Sequence, residues 1–366
     1  MLIFGVESSC DETSCAVLSV EENDGGPVFS LKSNIVASQV ETHRLFGGVV
    51  PEIASRAHAE VISKVARDAL AEAGIAPRDI DAVAVTSYPG LIGCLLVGTS
   101  FAKGLASTLG VPLVAVNHIE AHAAAAYLCE EGLRAPFGAL VVSGSHTSLY
   151  DVPRETSFIP VGGSRDDAAG EAFDKVGRII GLSYPAGREM DELAARAAEE
   201  GVEETVPLPS PAIPGDNLDF SFSGLKTASL NYVNTKRQSL RLKEGEPLPE
   251  KTVLAVAAAF TNAVCSGISK KLSLFLKSRK YDKLVLAGGV AANSHLRSSA
   301  DAVCRKHGVR LIVPPVSLCG DNAAMVAAAG YFALKEGIVA DSSMNAYASE
   351  EAAEKAMAER GFKPLH

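Results

Sequence analysis

Mostly apolar residues from Leu2 to Glu7, a small polar turn over Ser8 to Thr13 and a return from Ser14 to Val20 predict a β-hairpin at the start of the chain. The same plan recurs later: Phe137 to Val142, a turn over Ser143 to Thr147, and a return from Ser148 to Val152. After the first hairpin, helical spacing over Ala54 to Ala73 leads to a buried strand, Asp81 to Thr86, then to Gly90 and Gly93 before a helix from Cys94 to Leu109. After the second, helical spacing over Asp166 to Ile180 precedes the strand Lys283 to Ala287, and Gly288 to Asn293 opens a further helix. A strand from Arg310 to Val313 and a helix from Ala323 to Leu334 follow. Strands alternating with helices across short Gly-rich turns indicate α/β architecture with ligands at the strand ends. The repeated plan predicts two duplicated domains round a central cleft.

The expected first domain is residues 1–115, joined by part of the region 323–345, and the second is 116–322. The second is longer by an insertion of about 70 residues near 182–251, where Pro207, Pro209, Pro211, Pro214 and a polar stretch from Asn234 to Pro249 predict partial loop. From Val339 on, the Ala-, Ser- and Glu-rich composition predicts loose packing.

Composition narrows the class. The chain has 366 residues, 47% hydrophobic and 21% charged, which suits a globular protein of two domains. The longest run without strongly polar residues, Ala323 to Leu334, falls short of the roughly 20 residues that span a bilayer. No membrane helix is expected. The N-terminus lacks a basic region and meets Glu7 early, so it reads as a strand rather than a signal peptide. Seven cysteines at scattered positions, none in a Cys-x-x-Cys, favour reduced thiols and a cytoplasmic setting. A net charge of −9 argues against a nonspecific nucleic-acid coat. Between Lys270 and Lys283, Lys270, Lys271, Lys277, Arg279, Lys280 and Lys283 face only Asp282; the plain reading is a solvated helix face.

Chemistry concentrates in a few places. His118 and His122 stand four apart in a helix-favouring stretch, so their rings share one face and can grip one metal ion. Two unliganded histidines are the alternative. Glu120 lies roughly 200° round the helix from His118, so a metallopeptidase of the His-Glu-x-x-His kind, whose glutamate directly follows the first histidine, is discounted. Asp321, after a strand and before a helix, is the candidate third ligand and equally a candidate N-cap. Four turns could receive a phosphate or nucleotide: Ser143 to Thr147, Gly288 to Asn293, Tyr88 to Gly93, and Tyr184 to Gly187, the last read as closing a helix. Carboxylates gather near them, including Asp11, Glu12, Asp166, Asp167, Glu171, Asp174 and Asp191. Asp167, Glu171 and Asp174 are expected on one helix face.

Five segments then resemble one family: Glu7 to Thr13, Gly47 to Arg56, Asp166 to Val176, Asp219 to Thr227 and Ala287 to Asn293 look like the bacterial TsaD family. Its members are tRNA N6-adenosine threonylcarbamoyltransferases, earlier labelled O-sialoglycoprotein endopeptidases. The likeness runs from about Phe4 to Ala333. It implies the actin-like fold of the sugar kinase and heat-shock ATPase superfamily. It also implies transfer of threonylcarbamoyl from threonylcarbamoyl-AMP to the adenine 3′ of the anticodon, in tRNAs reading codons that start with A. By the family pattern His118, His122 and Asp321 would hold one divalent metal, Fe(2+) first and Zn(2+) second. Val141, Val142, Ser143, Gly144, Ser145, Asp174, Gly187, Asp191 and Asn293 would hold the adenylate. Asp11 and Glu12 would lie near the reacting group. Implied partners are tRNA, a metal-less paralogous subunit of the TsaB type, a small P-loop ATPase of the TsaE type and a separate synthase making the adenylate.

Some positions depart from the family pattern. Ser145 stands for a usual glycine, Ala186 and Arg188 flank Gly187 in place of Gly and Pro, and Gly320 replaces a usual Thr before Asp321. A non-catalytic scaffold and an ATPase or kinase of the same fold are the competing readings. The basic residues at Lys270 to Lys283 and Lys236 to Lys243 are candidate guides for tRNA.

Overall fold

The computed structural model describes residues 1–243 and 245–359. They divide into two compact units: Met1–Pro136 with Val152–Ile159 and the chain from Pro314 on, and Phe137–Asp151 with Pro160–Val313.

The first unit is built on β1 (Leu2–Glu7), β2 (Glu12–Asn23), β3 (Gly26–Ser38), β4 (Ala82–Tyr88) and β5 (Leu113–Asn117), in the sheet order β3-β2-β1-β4-β5. β1 runs antiparallel to β2 and parallel to β4, which is parallel to β5. Its helices are α1 (Val40–Arg44), α2 (Pro51–Ala73), α3 (Ile92–Leu109) and α4 (His118–Ala124), with α10 (Ala323–Lys335) and α11 (Glu350–Glu359) from the end of the chain. β1 and β4 are buried almost throughout and read as near-continuous apolar runs, as central strands covered on both faces do. Phe4, Val6, Val83 and Val85 form a core with Ile62, Val65 and Ala69 of α2. Gly5 admits α10: a Cβ there would stand 2.2 Å from the Ala323 carbonyl oxygen.

A second sheet repeats the order with β6 (Phe137–Val142), β7 (Thr147–Arg154), β8 (Ser157–Gly163), β9 (Lys283–Ala287) and β10 (Arg310–Ile312), arranged β10-β9-β6-β7-β8; it belongs to the second unit apart from Val152–Ile159. β6 occupies the place of β1, parallel to β9. Its helices are α5 (Ala169–Ile179), α6 (Gly187–Glu199), α7 (Ser223–Ser239), α8 (Glu250–Ser278) and α9 (Ser294–His307). α8 carries the core, burying Leu254, Phe260, Val264, Leu272 and Phe275. α3 and α8 are long and apolar enough to cross a membrane by length and composition, a property the longest polar-free run did not reveal. α8 buries most of its apolar residues, whereas α3 sends Ala102 and Ala106 into the first core and leaves Ile92 and Leu96 exposed.

Several expectations are corrected. The expected boundary after residue 115 falls inside β5, whose pairing with β4 extends to Asn117, and the last segment rejoins the first unit from Pro314. The hairpins gain third strands, β3 and β8, missed because neither alternates strictly between apolar and polar positions. The insertion contains α6 and α7 and meets α8, so Asn234 to Ser239 are helical. In the basic run Lys271 is buried: its Nζ donates to the carbonyls of Ile213 at 2.5 Å and Asn217 at 2.7 Å, while Lys277, Arg279 and Lys280 remain exposed. Between Val339 and Glu359 the tail is not loose, since Ala340 bridges to Leu113 and Met344, Ala346 and Ala353 are buried; residues 360–366 lie outside the described residues.

Candidate metal centre and strand-end site

The two histidines belong to the first turn and the end of α4, which starts directly from β5. Asn117 is its N-cap, its side-chain oxygen accepting from the Ile119 N–H at 2.8 Å. The helix is only 7 residues long and tightens into a 3₁₀ turn over Ala125–Leu128. Position i and i+4 bring the rings of His118 and His122 to 4.7 Å between centroids. Asp321 comes from the approach to α10. It is not the N-cap: Asn322 is, accepting from the Met325 N–H at 3.1 Å. The Asp321 carboxyl faces the rings, with Oδ1 at 3.2 Å from His122 Nε2 and 3.6 Å from His118 Nε2.

One donor atom each from His118, His122 and Asp321 lies within 4.8 Å of the others, the sole such metal-ligand group among the described residues. Two features show that the donors fit a cation. His122 is 1% exposed, and beyond the Asp321 carboxylate 3.2 Å from Nε2 neither ring nitrogen makes a hydrogen bond. His118 faces the site through Nε2 because Nδ1 lies 3.2 Å from Glu7 Oε2 and 3.1 Å from Ser9 Oγ. A carboxylate on the far nitrogen is the usual support for a ligating imidazole. Glu7 is itself fully buried and held by the Ser9 N–H and the Thr86 hydroxyl, both at 2.6 Å. Two nitrogens and one hard oxygen with coordination positions to spare suit iron or zinc.

The electrostatics follow from this crowding. Burial works against a charged His118, but Asp321 and then Glu7 outweigh it and hold the ring up to about 9 without metal. Burial would raise Glu7; the charge of His118 and its hydrogen bond bring it below the ordinary carboxylate range. Glu12 is pushed well above that range by burial, then by Asp321 and Asp11, and it accepts from the Ser38 hydroxyl at 3.0 Å. Glu12 thus lies within the field of Asp321. Glu120 stays outside the donor cluster, as helix geometry predicts, and burial and Glu350 raise it to about 8.

Two buried histidines that sequence reasoning passed over hold the loop carrying Asp11. His58 Nε2 is 2.9 Å from the Cys10 carbonyl and its Nδ1 is 2.6 Å from the Thr13 hydroxyl. His43 Nδ1 accepts from the Val50 N–H, its Nε2 meets Gln39, and the Gln39 N–H donates to the Asp11 carbonyl. Their spacing resembles no metal or catalytic pattern, so the sequence offered no signal.

In the second unit Val141 to Ser145 end β6 and form its turn and Asn293 follows β9, whereas Asp174 lies on α5 and Gly187 and Asp191 on α6. Val141 and Val142 end β6, and the Ser143 N–H donates to the His146 carbonyl to close the turn. Ser145 needs no glycine conformation: among the described residues Arg241 alone has positive φ without being glycine. Thr147 Oγ1 and the carbonyls of Ser143 and Gly144 receive the first N–H groups of α5. α5 therefore starts at Ala169, and Asp166 and Asp167 precede it rather than share its face. Asp166 instead receives the Phe222 N–H at 2.8 Å, and Asp167 pairs with Lys175 at 2.8 Å. Asp174 accepts from the Ala186 N–H at 2.7 Å, fixing the turn beside Gly187, which opens α6 instead of closing a helix. Asp191 accepts from the Ser294 N–H at 2.9 Å and meets His295 Nδ1 at 2.6 Å, beside Asn293. Asn293 caps α9 through its side-chain oxygen, which receives the Leu296 N–H, while its amide nitrogen is buried without a partner.

Comparison with known proteins matches this architecture along the chain. A family model described as TsaD, tRNA N6-adenosine threonylcarbamoyltransferase, matches residues 30–328. A protein of that name from Clostridium botulinum (strain Kyoto / Type A2) is 46% identical over 344 residues, covering 94% of this chain and 96% of the relative. One from Clostridium perfringens (strain SM101 / Type A) is 46% identical over 345 residues, with 94% and 96% covered. Component A of the Acidaminococcus fermentans (R)-2-hydroxyglutaryl-CoA dehydratase shares the fold at TM-score 0.51 and 15% identity, over 92% of this chain and 99% of that one. Full-length HypF does so at TM-score 0.55 and 14% identity, over 92% and 46%. Each unit has the actin-like arrangement, and the chain belongs to the TsaD family of tRNA N6-adenosine threonylcarbamoyltransferases.

Proposed function

We propose that this chain transfers threonylcarbamoyl from threonylcarbamoyl-AMP to N6 of the adenosine 3′ of the anticodon, in tRNAs reading codons that start with A, and releases AMP. The amine nitrogen bonds to the carbamoyl carbon, the bond from that carbon to the adenylate oxygen breaks, and the amine gives up one proton. The observation that carries the reading is the cluster of His118, His122 and Asp321 within 4.8 Å, in a chain matching a family of this activity over residues 30–328. These residues would hold one divalent cation, Fe(2+) first and Zn(2+) second. Such a cation supplies Lewis-acid polarisation and orientation of the acyl donor.

The chain's own residues do the rest. Glu7 and Ser9 keep His118 Nε2 directed at Asp321. The Asp11 and Glu12 carboxyl pair would take up the amine's proton. Val141, Val142, Ser143, Gly144 and Ser145 would surround the phosphate. Asp174, Gly187, Asp191 and Asn293 would hold the nucleoside, the buried amide of Asn293 offering a donor that the protein leaves unused. The net charge of −9 makes tRNA contact a task shared with partners, for which a metal-less TsaB-type paralogue and a TsaE-type P-loop ATPase are proposed, in the cytoplasm.

The test is incorporation of labelled threonine into a tRNA transcript by the full chain with its partner subunits and a synthase supplying the adenylate. Wild type should be active, and both chelation and His118→Ala should abolish transfer. Full transfer by His118→Ala with no bound metal overturns the metal-ligand assignment.

A further inference from the structure

The segment from Ala340 to Glu350 is tied to the helix that carries both candidate metal ligands. Ala340 donates its N–H to the Leu113 carbonyl at the start of β5, and Met344 packs into the core of the first unit. The segment then crosses the far ends of β4 and β5, with the Tyr347 N–H bonded to the Ser87 carbonyl at 2.9 Å and the Gly90 N–H to the Ala348 carbonyl at 3.3 Å. The Ser349 hydroxyl receives the Ala352 N–H at 3.2 Å and starts α11, placing Glu350 in its first turn. There Glu350 Oε1 accepts from Asn117 Nδ2 at 2.8 Å.

Asn117 is 6% exposed and uses both ends of its amide. Its oxygen caps α4 at the Ile119 N–H, and its nitrogen is held by Glu350. A helix of 7 residues has too few internal hydrogen bonds to fix its own start. His118 is the first residue after this cap. Rotation of the Asn117 amide, or loss of its outer anchor, therefore moves His118 Nε2 relative to Asp321.

We propose that Glu350 is a positioning residue of the metal centre, acting through Asn117 to set the first turn of α4. This rests on the metal-site reading above. The carboxylate charge is not what the role needs: the requirement is an acceptor at the Asn117 amide, which a glutamine oxygen also supplies.

The test uses the full chain, stripped of metal and titrated with cobalt(II) chloride alone, following the absorption of the bound ion, with thermal unfolding of the metal-free protein recorded alongside. Glu350→Ala should weaken cobalt affinity by about tenfold, the low end of the loss seen when support outside a metal's ligands is removed. Glu350→Gln should stay within about twofold of wild type, because its oxygen restores the hydrogen bond. Unchanged affinity in Glu350→Ala overturns the proposal, whatever the change in Tm. So does equal loss in the alanine and glutamine variants, which would assign the effect to charge. If wild type takes up no cobalt, or His122→Ala binds it as tightly as wild type, the metal-site reading itself fails.

Discussion

His122 Nε2 stands 3.2 Å from Asp321 Oδ1 inside the first unit, while neither nitrogen of that buried ring makes a hydrogen bond. A cation bound there would satisfy the ring nitrogen and favour the folded chain, which alone brings the three donors together. Zinc at a hundredfold excess over its Kd should stabilise wild type by about 2.7 kcal/mol. Calorimetry should show that gain in wild type and none in His122→Ala. An equal gain in both would place the ion elsewhere.

Glu120 gives a pH-dependent expectation of known sign. Its folded-state carboxyl is raised to about 8 from an ordinary 4.5, by burial and then by Glu350. Between those values the folded chain holds the proton more tightly than the unfolded chain, so this group's contribution falls as pH rises from about 4.5 through about 8. In metal-free protein, Glu120→Gln should flatten the decline of Tm across that range and raise Tm most at its alkaline end. A parallel, undiminished decline would show that Glu120 is not responsible.

Asn293 separates folding from ligand binding. Its side-chain oxygen caps α9, whereas its amide nitrogen has no partner. Asn293→Ala should lose about 1 kcal/mol of stability with the cap. Asn293→Ser keeps a capping oxygen and should unfold near the wild-type midpoint, yet bind AMP more weakly by calorimetry. Wild-type AMP affinity in the serine variant would remove Asn293 from the nucleotide contacts.

The fold and the cluster of His118, His122 and Asp321 were largely legible in the sequence for different reasons. The central strands β1, β4, β6 and β9 are apolar runs ended by Gly-rich or small polar turns, a local signal, whereas β3 and β8 are edge strands whose mixed exposure hides their period. His118 and His122 declare themselves through helical spacing. Asp321 sits more than 190 residues away and was reached from a strand-to-helix junction together with the family likeness. What stayed hidden depends on tertiary contact: Glu7 behind His118, His43 and His58 under the Asp11 loop, Lys271 locking residues 213–217, and Glu350 on Asn117. None of these pairs has a sequence spacing that chemistry requires.

Gly288 marks where β6 and β9 end side by side. Its φ is +92°, and a Cβ would stand 2.4 Å from the Val142 carbonyl oxygen. Gly288→Ala should cost about 1–3 kcal/mol in urea unfolding. Gly289→Ala, with nothing within 4 Å of the added carbon, should change little. Equal midpoints for the two variants would contradict the close approach of these strand ends.

X-ray absorption at the metal edge of the loaded full chain reads the ligands themselves. Two imidazole nitrogens at about 2.0–2.1 Å for zinc, together with carboxylate oxygen and no sulfur, are expected from His118, His122 and Asp321. A shell of sulfur scatterers at about 2.3 Å, or one without imidazole, would contradict this centre.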